Sequence, residues 1–158
     1  MSENLLIEYR VNPGSWEDVD CGAVSKSCAN VLGTEFPDAS WPVSVLYAED
    51  AIIAELNQKF RKRQGPTNVL SFPSDGAGFC DVFLGDVILA YETCKREAEQ
   101  AAKTISDHTT HLLIHGVLHL LGFSHEKDEE AIRMEAMETK LLMSIGITDP
   151  HKEIHENL

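Results

Sequence analysis

Four of the chain's seven histidines fall within "HLLIHGVLHLLGFSH", residues 111–125, in otherwise apolar sequence. His115 and His119 are four residues apart. On a helix that spacing is about 40° of rotation and about 6 Å of rise, so both rings leave one face. Gly122 follows three residues later, where a left-handed residue can end a helix. The chain can then turn and bring His125 to the same point. The full spacing is H-x-x-x-H-x-x-G-x-x-H. Three neutral imidazoles can hold one metal ion and leave its fourth position open, the arrangement of a catalytic rather than a structural zinc. The competing reading is a set of hydrogen-bonded core histidines, but three adjacent buried imidazoles without a metal would each need a polar partner. His111, one turn before His115, can line the same face and is expected to support or pack rather than to ligate. His108, His151 and His155 are expected at the surface. Three imidazoles favour zinc, although nickel or copper could bind the same set.

The spacing also matches the metzincin pattern H-E-x-x-H-x-x-G-x-x-H, with one change. Gly116 stands where a zinc peptidase carries its glutamate base. The motif therefore supplies a metal without that base, which argues against peptidase chemistry. A second candidate is "KFRKR", Lys59 to Arg63, with four cations in five residues of a chain that has only 13. The net charge of −13 argues against a general polyanion binder. A basic island can still attract a phosphate locally; the alternative is a solvated helix end whose cations suit the negative pole of the helix dipole. Cys21, Cys28, Cys80 and Cys94 show no CxxC spacing and are expected to be free thiols. Cys80 or Cys94 could still approach the metal in space.

Several elements must position these groups. "LLIEYRV" has Leu5, Ile7, Tyr9 and Val11 on alternate positions, the period of a strand. Asn12, Pro13 and Gly14 break it, and Ser15 is placed to cap a helix carrying Trp16, Val19, Ala23 and Val31 to about Gly33. "PVSVLYA" predicts a second strand. "EDAIIAELNQKFRKR" predicts a helix with Ile52, Ile53, Leu56 and Phe60 on one face. "TNVLSFP" is a short strand whose Pro73 suits an edge or an end. "SDGAGFC" is a loop, and "DVFLGDVILA" is apolar enough for the centre of a sheet. Three helices follow: "YETCKREAEQAAKT", the histidine helix from about Ser106 to Leu121, and "DEEAIRMEAMETKLLMSIG". The polar end "ITDPHKEIHENL" is expected to be loose.

The 158 residues, 43% of them hydrophobic, suffice for one domain with a core. There is no internal repeat and no linker, so one domain over 1–158 is expected. No apolar run reaches membrane-spanning length. "MSENLLIEYR" lacks a basic start followed by an apolar stretch, so a cytoplasmic location is expected.

"HGVLHLLGFSH" resembles the signature H-G-x-L-H-L-x-G-[FYW]-x-H of the YbeY family, bacterial endoribonucleases of rRNA maturation. "LNQKFRKRQGPTNVLSFP", "LGDVILAYETCKREA" and "DEEAIRMEAMETKLLMSIG" are similar to further blocks of that family. In matching order and spacing they cover about Ala51 to Gly146. The resemblance implies an α+β fold, with a mixed four-stranded sheet (three parallel, one antiparallel) packed by about five helices. It implies one zinc ion on His115, His119 and His125, and a functional Arg61. Arg61 and His115 are the catalytic candidates. The implied activity is zinc-dependent cleavage of single-stranded RNA, in 16S rRNA 3′-end maturation and ribosome quality control. The ribosome and its associated factors are the implied partners, and no membrane is involved. Phe72 could stack a base or simply pack. Two alternatives stand beside this reading: a ribosome-associated assembly factor whose zinc is mainly structural, and a metal hydrolase acting on another substrate.

Overall fold

The computed structural model describes residues 6–39, 42–74 and 84–148. The expectations for Cys80, His151, His155, the "SDGAGFC" loop and the polar end fall outside these residues. Four strands, β1 (Ile7–Val11), β2 (Val43–Ala48), β3 (Val69–Pro73) and β4 (Gly85–Ala90), form one sheet in the order β1-β2-β4-β3. β1 and β2 are parallel, as are β2 and β4, and β3 runs antiparallel to β4. The helices are α1 (Cys21–Glu35), α2 (Asp50–Arg61), α3 (Tyr91–Gln100), α4 (Ile105–Leu120) and α5 (Asp128–Ser144). The mixed sheet and five helices are those expected.

Side chains alternate across the sheet and build two unequal cores. Val43, Val45, Tyr47, Val87 and Leu89 face α1 and α4 in the larger one. Leu46, Ala48, Ile88, Ala90 and Leu70 face α2 in the smaller. α4 runs through the larger core, and Leu113, Ile114, Val117 and Leu118 are fully buried there. The histidine helix is thus apolar on most sides because most of its sides are packed.

At Gly116 α4 lies close against the sheet. A Cβ there would lie 2.9 Å from Val87 Cγ1, 3.1 Å from Ser71 Oγ and 3.3 Å from Val69 Cγ2. Ser71 Oγ donates to the Gly116 carbonyl at 2.9 Å and pins the helix to β3. The residue at 116 therefore faces the sheet, and a glutamate there would have no room.

Two local expectations are corrected. The first long helix begins at Cys21, not after Ser15. Asp20 caps it, its carboxylate accepting from Ala23 N at 3.0 Å. Trp16 is the cause: its indole is 2% exposed and donates to the Ala48 carbonyl at 2.9 Å, with the backbone at φ 70°. A non-glycine residue with that φ cannot lie inside a right-handed helix. The second correction is Phe60, expected on a buried face. It lies at the end of α2, is 57% exposed and meets Phe72 edge-to-face at 5.7 Å.

Candidate metal centre and its cleft

α4 ends as its sequence predicts. Gly122 takes φ 104°, its N–H donates to the His119 carbonyl at 3.1 Å, and Phe123 N–H donates to the Leu118 carbonyl at 2.9 Å. These are the two bonds of a Schellman C-cap. The turn does more than stop the helix. It aims the Phe123 carbonyl at His119, whose Nδ1 lies 3.0 Å away. A carbonyl can only accept, so Nδ1 carries the proton and Nε2 keeps its lone pair.

His115 is oriented from the other side. Glu138, on α5, is 2% exposed, and its two carboxylate oxygens lie 2.6 Å from His115 Nδ1 and 2.7 Å from His111 Nε2. The carboxylate accepts from His115 Nδ1, which again leaves Nε2 with its lone pair. His111 supports the ligand face without joining it, as expected. Glu138 itself was not anticipated. The signal was present: it lies on the stripe of Met134, Leu141 and Leu142, and an acid on a buried stripe asks for a partner.

The two Nε2 atoms stand 3.1 Å apart. With both Nδ1 atoms committed as donors, two lone pairs face each other at that distance, which is repulsive unless a cation lies between them. Two nitrogens about 2.0–2.1 Å from a tetrahedral zinc would be about 3.3 Å apart. A proton on one ring or a shared metal ion relieves that repulsion, and the spacing fits the metal. His125, exposed on the following loop, completes a group whose ligand atoms all lie within 4.8 Å of one another. The three predicted histidines are brought together and could hold a metal ion. They are the one such cluster of His, Cys, Asp and Glu among the described residues. Burial lowers the His119 pKa, and the neighbouring His115 adds to the effect. A neutral ring is the form that ligates.

The histidines open onto a cleft of about 620 Å³ whose lining includes β3, Arg61 and Arg63. Arg61 Nη2 donates to the Ser71 carbonyl at 2.6 Å, and its guanidinium lies 5.3 Å from the Phe72 ring centroid. One arm of the fork is held, and the remaining donors are left for another acceptor. Arg61 is exposed, so the basic island reaches the cleft and is not needed in the core. The sequence offered no general base, and Glu126, beside His125, is the carboxylate among the described residues lining this cleft.

His108 is corrected. It is not a surface residue: its side chain is 13% exposed, and Nε2 lies 2.9 Å from Glu97 Oε1. The Glu97 carboxylate also accepts from Asn68 Nδ2 at 3.0 Å, which braces the start of β3 against α3. Among the described cysteines, Cys21, Cys28 and Cys94 are buried and free, as expected, and Cys94 is not in the metal cluster. No described helix is long and apolar enough to cross a membrane.

An α+β domain with three convergent histidines in a cleft walled by an edge strand and arginines is a candidate metallohydrolase. The family model "Endoribonuclease YbeY" matches residues 15–146, and the chain belongs to the YbeY family. An endoribonuclease YbeY of Methylocella silvestris is 48% identical over 158 residues, covering 94% of this chain and 86% of that one. One from Cereibacter sphaeroides is 39% identical over 164 residues, covering 92% and 98%. The solution structure of TM1509 from Thermotoga maritima shares the fold, with a TM-score of 0.58 at 23% identity, over 97% of this chain and 93% of that one.

Proposed function

We propose that this chain is a zinc-dependent endoribonuclease that cleaves single-stranded RNA. Its setting would be the cytoplasm, in 16S rRNA 3′-end maturation and ribosome quality control, with the ribosome and its associated factors as partners. Residues 1–158 would form one domain of that activity, with one zinc ion on His115, His119 and His125. The observation that carries this reading is the pair of facing imidazole lone pairs, opening onto a cleft that Arg61 also lines. When bound, zinc would supply Lewis acidity toward a phosphate oxygen. Arg61 would take the phosphate through its planar fork, with Ser71 and Phe72 holding the guanidinium in place. The metal-binding Nε2 of His115 is presented by the grip of Glu138 on the opposite ring nitrogen.

The test is cleavage of a defined single-stranded RNA, and of the same sequence as a duplex, by stringently purified protein of measured zinc content. Arg61→Ala should fold and keep its zinc but lose about a hundredfold in rate, the scale of one charged transition-state contact. Arg61→Lys should recover part of this, because a point charge cannot make the bidentate contact. Equal cleavage by wild type and Arg61→Ala would remove Arg61 from the site. No cleavage by zinc-loaded wild type would favour an assembly factor with a structural metal.

A further inference from the structure

β3 is an edge strand, and its free edge lines the same cleft as the histidines. Its hydrogen-bonding direction alternates along the strand. Ala90 N–H donates to the Asn68 carbonyl at 3.0 Å, and Ser74 N–H donates to the Leu84 carbonyl at 3.0 Å. Leu70 and Phe72, paired in register with Ile88 and Asp86, fall between these two bonds on the same parity. In an antiparallel ladder, the backbone groups of Asn68, Leu70, Phe72 and Ser74 therefore point at β4, and those of Val69, Ser71 and Pro73 point outward. Two facts agree. The Ser71 carbonyl is taken by Arg61 Nη2 from outside the sheet. Pro73, which has no N–H, sits where its missing donor would face outward, as edge-strand prolines do.

Among the described residues this edge therefore presents two backbone donors, Val69 N–H and Ser71 N–H, about 6.8 Å apart, with the Val69 and Pro73 carbonyls beside them. We propose that these two amides form a track for the phosphate backbone of extended single-stranded RNA, leading it past the metal centre whatever its base sequence. This inference rests on the endoribonuclease reading and says how that substrate would be held. An incoming peptide strand would need the Ser71 carbonyl as well as its N–H, and Arg61 already occupies that carbonyl. A phosphodiester only accepts, and two outward N–H donors beside Arg61 and Arg63 suit it. The rest of the chain carries a net charge that would repel it.

Zinc-loaded, isotope-labelled protein is followed by amide hydrogen exchange with and without a single-stranded 2′-O-methyl hexanucleotide. Val69 and Ser71 should exchange fast in the free protein and at least tenfold more slowly with the oligonucleotide. Leu70 and Phe72, bonded to β4, should be slow in both states. Two hexamers of unrelated base composition should give the same pattern. Val69→Pro, which deletes one outward donor and no ladder bond, should weaken binding of both by about tenfold without changing zinc content. Oligonucleotide binding that leaves Val69 and Ser71 unprotected would overturn the proposal and leave the endoribonuclease reading intact. Protection of these amides by an extended peptide but not by the hexamers would overturn it in favour of strand addition. Failure of the zinc-loaded wild type to bind either hexamer would overturn both readings.

Discussion

Glu138 orients one of the three histidines of the candidate metal site, and removing it has a magnitude that can be worked out. Its carboxylate makes two short contacts, 2.6 Å to His115 and 2.7 Å to His111, from a position 2% exposed. Hydrogen bonds to a charged group are worth about 1.5–3 kcal/mol each, so an upper bound for Glu138→Ala is about 3–6 kcal/mol. The histidine side chains are 15% and 24% exposed. They can recover some hydration once the acid is gone, so the apo protein should lose about 2–3 kcal/mol. A second loss appears only with metal. Freed from Glu138, His115 can rotate and can carry its proton on Nε2, where it blocks ligation. Losing such a partner typically lowers metal affinity about 10–100-fold.

Glu138→Gln separates orientation from charge. Its carbonyl can accept from His115 Nδ1, while its amide would have to donate to Nε2 of His111, which is outside the ligand cluster. Zinc would select that arrangement, so Gln should cost tenfold or less. The assay is zinc competition against a chromophoric chelator, with thermal unfolding in chelator and in zinc. Chelator alone reads the packing loss, and the zinc-induced rise in Tm reads the orientation loss. Wild-type zinc affinity in Glu138→Ala would refute the claim that this carboxylate sets the His115 tautomer. So would equal losses in Ala and Gln.

Gly116→Ala should destabilise the protein by about 1–2 kcal/mol in urea unfolding, the overpacking against Val87 outweighing about 1 kcal/mol of helix propensity; a more stable Ala variant would contradict the close approach. Gly116→Glu should fail to fold rather than gain peptidase activity. Burial pushes the Cys21 thiol up to about 11 and raises Cys28 and Cys94 further. In a Cys80→Ser background, alkylation at pH 7 should therefore be at least tenfold slower than for free cysteine until the protein unfolds. The Glu97 carboxylate is held below its ordinary pKa, first by its hydrogen bond with His108 and then by Asn68. A depressed folded pKa adds stability above the unfolded value, about 4.3, and loses it as pH falls through the folded value. Glu97→Gln should thus be less stable than wild type at pH 6–7, with the gap closing below about pH 4; a gap unchanged from pH 7 to pH 3 would sink the assignment.

What the sequence made legible and what it hid divide along one physical line. Spacing along a single element is local, so His115, His119 and the Gly122 turn could be placed before any coordinates. Arg61 could be set at a helix end for the same reason, and Pro73 at a sheet edge. Trp16, Glu138 and His108 were misread or missed because each is explained by a partner far away in the chain. The Trp16 indole is anchored by Ala48, Glu138 is held by His111 and His115 on α4, 27 and 23 residues earlier, and His108 by Glu97 on α3. The case of Gly116 shows how the two kinds of information join. Read locally, it is a metzincin motif missing its base. Read in the fold, it is the point where α4 touches β3 and β4, and the glycine is what lets the histidines stand beside the free edge of β3. Distance between helix and strand, not the absence of a carboxylate, is what that position controls. A bulkier residue there would push the metal ligands away from the β3 edge and from Arg61, which the Ser71 carbonyl ties to that same strand.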